Sequence, residues 1–210
     1  HNYLYGLPMW GVSYTVFSKI VKDAPEEISL GHLCQDEEAN TTFFLISDTQ
    51  ENHGAHDVSA DFIREKMSED QSTKFIINAG DIVDYGSEKQ WKRYRAVSSN
   101  KYTNSWPIIP VMGNHEYWFD SELSLFKLVY GNRLEQGYYT IDQPYVAVIV
   151  LNSNIYRLTQ LQRIEQNEFL ESELQKFRKL EKQVVVTFHH APYSSGSGVI
   201  LIPREPYYIR

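Results

Sequence analysis

The chain has one cysteine, Cys34, among its 210 residues. A lone thiol cannot build a disulfide framework or a Cys-rich zinc site, and it leaves the redox compartment open. No run of Lys or Arg occurs and the net charge is −7, so no surface that coats nucleic acid is expected, because such binding draws on clustered phosphate contacts. An anionic substrate would therefore need a local positive source. No stretch reaches the ~20 apolar residues of a membrane helix. The nearest, LYGLPMWGVSYTVF at 4–17, is interrupted by Gly6, Pro8 and Gly11 and reads as strand or hairpin. Internal repeats and low-complexity tracts are lacking as well.

What is present is the makeup of a folded globule, with 42% hydrophobic, 14% aromatic and 22% charged residues. A chain of this length suits one α/β domain, which buries ~70% of its unfolded surface without staples. Residues 1–40 read as an N-terminal β or irregular segment, closed by the polar run CQDEEANTT, with the main domain at 41–210. Cytoplasmic and secreted locations are both open, and so is the oligomeric state. Asn40-Thr41-Thr42 fits a glycosylation acceptor, a triplet common by chance.

From residue 43 onward, apolar runs alternate with helical patterns. FFLIS (43–47), KFIINA (74–79), PIIPVM (107–112) and QVVVTF (183–188) read as strands of the fully buried kind. VSADFIREKM (58–67) places Val58, Phe62, Ile63 and Met67 near helical spacing, with Asp57 as N-cap. SEKQWKRYRAV (87–97) opens on Ser87 as cap and sets Trp91 and Tyr94 three apart. A short helix is expected in 121–130, then two antiparallel strands, GYYTID and YVAVIVLN, joined at Gln143-Pro144. A long helix runs from Thr159 to about Leu180, its inner face expected to be Leu161, Ile164, Phe169, Leu170, Leu174 and Phe177. Strands alternating with helices imply an α/β sheet, whose ligands bind at the carboxyl ends of the strands.

Those ends carry the chemistry. The first strand runs into Asp48-Thr49-Gln50, the second into GDIVD at 80–84, the third into GNHE at 113–116, and the strand at 183–188 into His189-His190. Carboxylate, amide and imidazole ligands on one rim suit Zn, Mn or Fe. The Gly before Asp81 and before Asn114 lets the backbone turn sharply and approach closely. Singly, each Asp fits an N-cap and each Gly pair a turn. Four such ends in succession are hard to place by chance.

The motifs resemble those of the calcineurin-like metallophosphoesterases, which include purple acid phosphatases, Ser/Thr protein phosphatases and cyclic-nucleotide phosphodiesterases. That family's order is Asp-x-His, Gly-Asp-x-x-Asp, Gly-Asn-His-Glu, a strand-end His and Gly-His-x-His. Here D-T-Q, GDIVD, GNHE and HHAPY follow in the same order, over roughly residues 43–195. Asp48 to Asp81 is 33 residues and Asp81 to Asn114 is again 33, room for one helix and one strand each.

The resemblance implies a four-layer α/β/β/α sandwich and a phosphoester hydrolase acting on a phosphomonoester or phosphodiester, a small molecule or a nucleotide. It implies two divalent ions, Mn, Fe, Zn or Mg, with Asp81 bridging them, Asp48 and Gln50 on the first, and Asn114 and His189 on the second. A hydroxide bridging the ions would be the nucleophile. His115 would be the general acid and Asp84 the carboxylate that orients it, while Glu116 satisfies backbone donors and His190 stands behind His189. Tyr85, Tyr117, Trp118 and Tyr193 could shape a pocket for a sugar or nucleobase.

Three departures matter. Gln50 stands where most of the family has His; its side-chain oxygen is a neutral, harder ligand, so the first site should hold its ion less tightly or favour Mn or Mg over Zn. The metal-binding Tyr of the purple enzymes has no counterpart, Tyr85 coming one place late, so a purple iron centre is not expected. No Gly-His-x-His appears, and the missing ligands are expected beyond Arg210. The rival reading is a non-catalytic binding or scaffold module on the same fold.

Overall fold

The computed structural model describes residues 42–50, 53–69, 73–101, 108–121, 123–130, 136–144 and 146–191. The expected N-terminal segment and Tyr193 lie outside the described residues.

Strand β1 (Thr42–Ile46), helix α1 (His53–Glu69), β2 (Thr73–Asn78), α2 (Glu88–Lys101) and β3 (Ile108–Pro110) follow one another. The three strands form a parallel sheet in the order β1-β2-β3. Parallel neighbours need a crossover, and a helix supplies each one. Side chains alternate across this sheet. Ile76 and Ile108 meet Ala60, Ile63 and Met67 of α1, while Phe75, Ile77 and Ile109 face the other way.

Helix α3 (Ser124–Tyr130) leads to a second sheet of β4 (Tyr139–Asp142), β5 (Val146–Val150) and β6 (Gln183–Thr187), with helix α4 (Gln160–Lys179) between the last two. β4 and β5 are antiparallel and β5 and β6 parallel. The expected hairpin at Gln143 is closed by Gln143 N–H donating to the Val146 carbonyl at 2.9 Å. All five residues of β5 are buried. Val146, Val148 and Val150 pack on Phe75, Ile77, Ile109 and Val111 of the first sheet. Ala147 and Ile149 pack on Leu170 and Phe177 of α4. Helix, sheet, sheet and helix therefore stack as four layers, and each Val or Ile so buried contributes about 1.5–3 kcal/mol relative to exposure.

A further cluster supports the loops. Trp91 and Tyr94 of α2 and Leu125 and Phe126 of α3 enclose Ile82, Val83, Met112 and Tyr117, which lie beyond the ends of β2 and β3.

Two sequence expectations differ from the structure in which side is inward. α1 begins at His53, so Asp57 lies inside the helix and is not its cap; Val58 and Phe62 are exposed. On α4 the buried stripe is Gln166, Leu170 and Phe177, whereas Leu161, Ile164 and Leu174 face outward. Both helices carry apolar residues on more than one face, and only contact with the sheet selects the stripe. β1 and β6 were also expected to be fully buried. Among the described strands each pairs on one side only, and Leu45 and Val186 are exposed.

Candidate active site

The backbone ladder of the parallel sheet continues past the strands. Ala79 N–H donates to the Ile46 carbonyl at 2.7 Å, Asp48 N–H to the Gly80 carbonyl at 3.0 Å, and Val111 N–H to the Asn78 carbonyl at 2.8 Å. These bonds hold the loops after β1, β2 and β3 side by side. Asp48 and Asp81 then adopt left-handed backbone, φ 54° and 50°, a conformation that Asp tolerates better than most residues at a cost of order 1 kcal/mol. The two glycines act differently. Gly80 turns the chain with φ +99°, and Gly113 permits close approach, since a Cβ there would collide with Asp81 Oδ1.

Glu116 ties two of the loops together. It is 1% exposed, and its Oε2 accepts from the N–H groups of Asp81 (3.1 Å) and Gly113 (2.7 Å). Its Oε1 accepts from Ile82 (2.7 Å) and Val83 (3.1 Å). Burial and the Asp81 charge push its carboxyl up to about 7, against the pull of those donors. The role expected for Glu116, satisfying backbone donors, is the one its geometry performs.

Asp81 is the hub. Its Oδ1 accepts from the His115 N–H at 3.0 Å; its Oδ2 lies 3.3 Å from His189 Nε2 and 3.7 Å from His115 Nε2. Burial alone would raise the Asp81 carboxyl, but the His189 hydrogen bond, the His115 N–H and both imidazoles hold it below its ordinary value. On His189 burial opposes charge, yet Asp81, the Ala79 carbonyl and Asp48 carry it up to about 9. His189 Nδ1 sits 2.9 Å from the Ala79 carbonyl, which fixes Nδ1 as donor and turns Nε2 toward Asp81, as second partners of ligating imidazoles do. One ligand atom each from Asp48, Asp81 and His189 lies within 4.8 Å of the others.

His115 Nδ1 lies 2.7 Å from the Asp84 carbonyl and 3.7 Å from the Asp84 carboxylate. The main chain of Asp84, rather than the side chain expected from sequence, is thus in hydrogen-bond range of the imidazole. Asn114 heads the short turn His115–Tyr117, half-buried, with no side-chain capping bond. Gln50 is buried, and its Oε1 has no hydrogen-bond partner. An orphaned buried acceptor costs about 1–3 kcal/mol, a cost a cation would remove. His190 shares a 2.8 Å hydrogen bond with Ser153 Oγ and meets the His189 ring edge-on at 4.8 Å. Tyr117 is buried, so of the aromatics expected at a pocket only Tyr85 and Trp118 among the described ones stay accessible.

The model of the calcineurin-like phosphoesterase family matches residues 41–207. The chain belongs to that family. A search of curated proteins found no match. Among solved structures, a purple acid phosphatase from seeds of yellow lupin (Lupinus luteus) is similar with TM-score 0.59 and 17% identity, over 77% of this chain and 33% of that one. At that identity the likeness speaks to the fold alone, and the chain spans about a third of the lupin protein.

Sequence pattern alone did not reveal a buried amide network beyond β5. Asn154, 0% exposed, donates to the carbonyls of Gly113 (3.1 Å) and Met112 (3.3 Å). Asn152 Nδ2 donates to Tyr117 Oη at 2.8 Å. Gln166 of α4 accepts from Asn152 N–H at 2.8 Å and donates to its carbonyl at 3.2 Å. The GNHE loop is thereby anchored to the second sheet. The signal was present, because LNSN follows a buried strand just as GDIVD and GNHE do.

Proposed function

We propose that this chain carries the metal-dependent phosphoester hydrolase site of its family. The observation that carries this reading is the convergence of Asp48, Asp81 and His189 within 4.8 Å, with His115 Nε2 3.7 Å from the same Asp81 carboxylate. Among the described residues, the ion pairs of Asp81 and Asp84 are with imidazoles. A site rich in carboxylate repels a phosphoester unless cations sit in it.

The donor set fits such cations. Asp48 and Gln50 would hold one, Asn114 and His189 the other, and Asp81 both; Mn, Fe, Zn and Mg all suit these atoms. Two divalent ions there would supply positive charge to the phosphoryl oxygens and an activated water for in-line attack at phosphorus. The chain's own part is positional and acid–base. Glu116 and Asn154 keep the loops in register. His115, held at Nδ1 by Asp84, delivers a proton from Nε2 to the leaving-group oxygen as the phosphorus–oxygen bond breaks. The substrate is a small-molecule or nucleotide phosphoester.

Protein loaded with Mn²⁺ is expected to bind close to two equivalents, by elemental analysis, and to release 4-nitrophenol from 4-nitrophenyl phosphate. One equivalent or fewer with no turnover would make the chain a binding module instead. No helix among the described residues is long and apolar enough to cross a membrane.

A further inference from the structure

The residues after His115 have a conformation that packing does not explain. Phe119 has φ +63°, a left-handed backbone that is an outlier for a bulky side chain. Such strain is ordinarily accepted where the side chain buries well, yet Phe119 is 77% exposed. Its neighbour Trp118 is 41% exposed. The backbone on both sides is pinned. Gly86 N–H donates to the Trp118 carbonyl at 2.7 Å. Asp120 accepts from Ser124 N–H (2.9 Å) and Leu125 N–H (2.8 Å) at the head of α3. Any side chain at Gly86 would run into Asp120, with a Cβ at 2.7 Å. The fold thus holds an aromatic ring out in solvent on a rigid, strained support, and strained residues of this kind cluster at functional sites.

The surface joins the candidate site. The Trp118 ring stacks on His115 with centroids 3.9 Å apart and planes at 27°. The Asp84 carbonyl is 2.7 Å from His115 Nδ1, and Tyr85, the next residue, meets Phe119 edge-on at 5.4 Å. Trp118 therefore lies on the imidazole proposed to face the leaving group, and the Tyr85–Phe119 pair sits on the residues next to Asp84 and Trp118. This step rests on the hydrolase reading for the direction in which the leaving group lies.

We infer that Tyr85, Trp118 and Phe119 form a stacking surface for a planar ring carried by the leaving group, so that the substrate class is a phosphoester of a nucleoside or another ring-bearing alcohol. Every nucleobase and aryl group has a π-face, so such a surface selects rings over small polar alcohols without reading hydrogen bonds.

The test compares pairs that differ in the ring and little in leaving-group chemistry: adenosine 5′-monophosphate against ribose 5-phosphate, and benzyl phosphate against ethyl phosphate. The Mn²⁺-loaded protein should prefer the ring-bearing member by kcat/KM, and Phe119→Ala should shrink that ratio about tenfold, in line with the worth of one stacked base. A preference in both pairs identifies any planar ring as the ligand, and one in the adenosine pair alone a nucleobase. No preference in either pair overturns the inference. Phe119→Asn removes the ring and suits left-handed backbone, so it should lose the discrimination with stability equal or higher; discrimination retained in that variant also overturns the inference.

Adenosine binding, followed by ligand-observed NMR, needs no turnover. If no phosphoester is cleaved but adenosine binds and Phe119→Ala weakens it, the hydrolase reading fails and the stacking surface stands. If phosphoesters are cleaved but the variant changes neither ratio nor binding, the surface falls and the hydrolase reading stands.

Discussion

Asp81 meets both imidazoles of the site, yet they stand differently toward it. His189 is held at Nδ1 by the Ala79 carbonyl and His115 by the Asp84 carbonyl, so each presents Nε2 inward. Only His189 shares close range with both Asp48 and Asp81. His115→Ala should therefore lower kcat on 4-nitrophenyl phosphate by about 10²-fold or more while leaving the Mn²⁺ content unchanged. Asp84→Asn keeps the main-chain carbonyl in place and should cost less than His115→Ala; the reverse order would return the orienting role to the Asp84 carboxylate. Glu116→Gln presents an NH₂ group to two backbone donors, whichever way the amide turns. A loss of about 2–3 kcal/mol, read by urea unfolding, is expected from those clashing and unsatisfied donors. These roles were legible as residue types but not as partners. GNHE announced a Glu beside a His, whereas the four N–H groups it accepts from belong partly to a loop 33 to 35 residues away.

Helix α4 separates what pattern conveys from what contact decides. Its start was legible, because Thr159 caps the helix and Gln162 reaches back in a reciprocal pair, a signature written in four residues. Its inner face was not. Leu161, Ile164 and Leu174 are as apolar as Leu170 and Phe177, and periodicity cannot choose between overlapping stripes. Phe177→Ala should thus destabilise by about 3–5 kcal/mol, whereas Leu161→Ala should stay within about 0.5 kcal/mol. Chemical denaturation of both variants checks the difference, and equal losses would return Leu161 to the core. Spacing likewise does not separate the exposed Val58 and Phe62 of α1 from the buried Ile63 and Met67.

At the scale of the whole molecule, partly buried tyrosines link the two sheets to each other and helix α2 to helix α3. Tyr139 Oη donates to the Pro110 carbonyl across the two sheets, and Tyr130 Oη to Tyr94 Oη. Burial, joined for Tyr130 by Tyr94, raises both phenols well above the ordinary value of 10. Above pH 10 the unfolded chain releases these protons while the folded chain keeps them, so the folded state binds more protons and stability falls with rising pH. The contribution is complete below pH 10 and lost progressively above it. Phenolate absorbance and circular dichroism should then change together in an alkaline titration for these two residues. Phenolate appearing fully before any loss of structure would contradict it.

The sequence by itself determined the family, the order of strands and helices, and which residue types end each strand, because those are local patterns of apolar spacing, glycine and ligand chemistry. Tertiary structure decided the rest: which helix stripe turns inward, which carbonyl holds each imidazole, that Asn152, Asn154 and Gln166 brace the GNHE loop, and that Phe119 stands strained in solvent. Each of these depends on groups distant along the chain meeting at a few ångströms, and such meetings are set by how layers stack and not by any run of neighbouring residues.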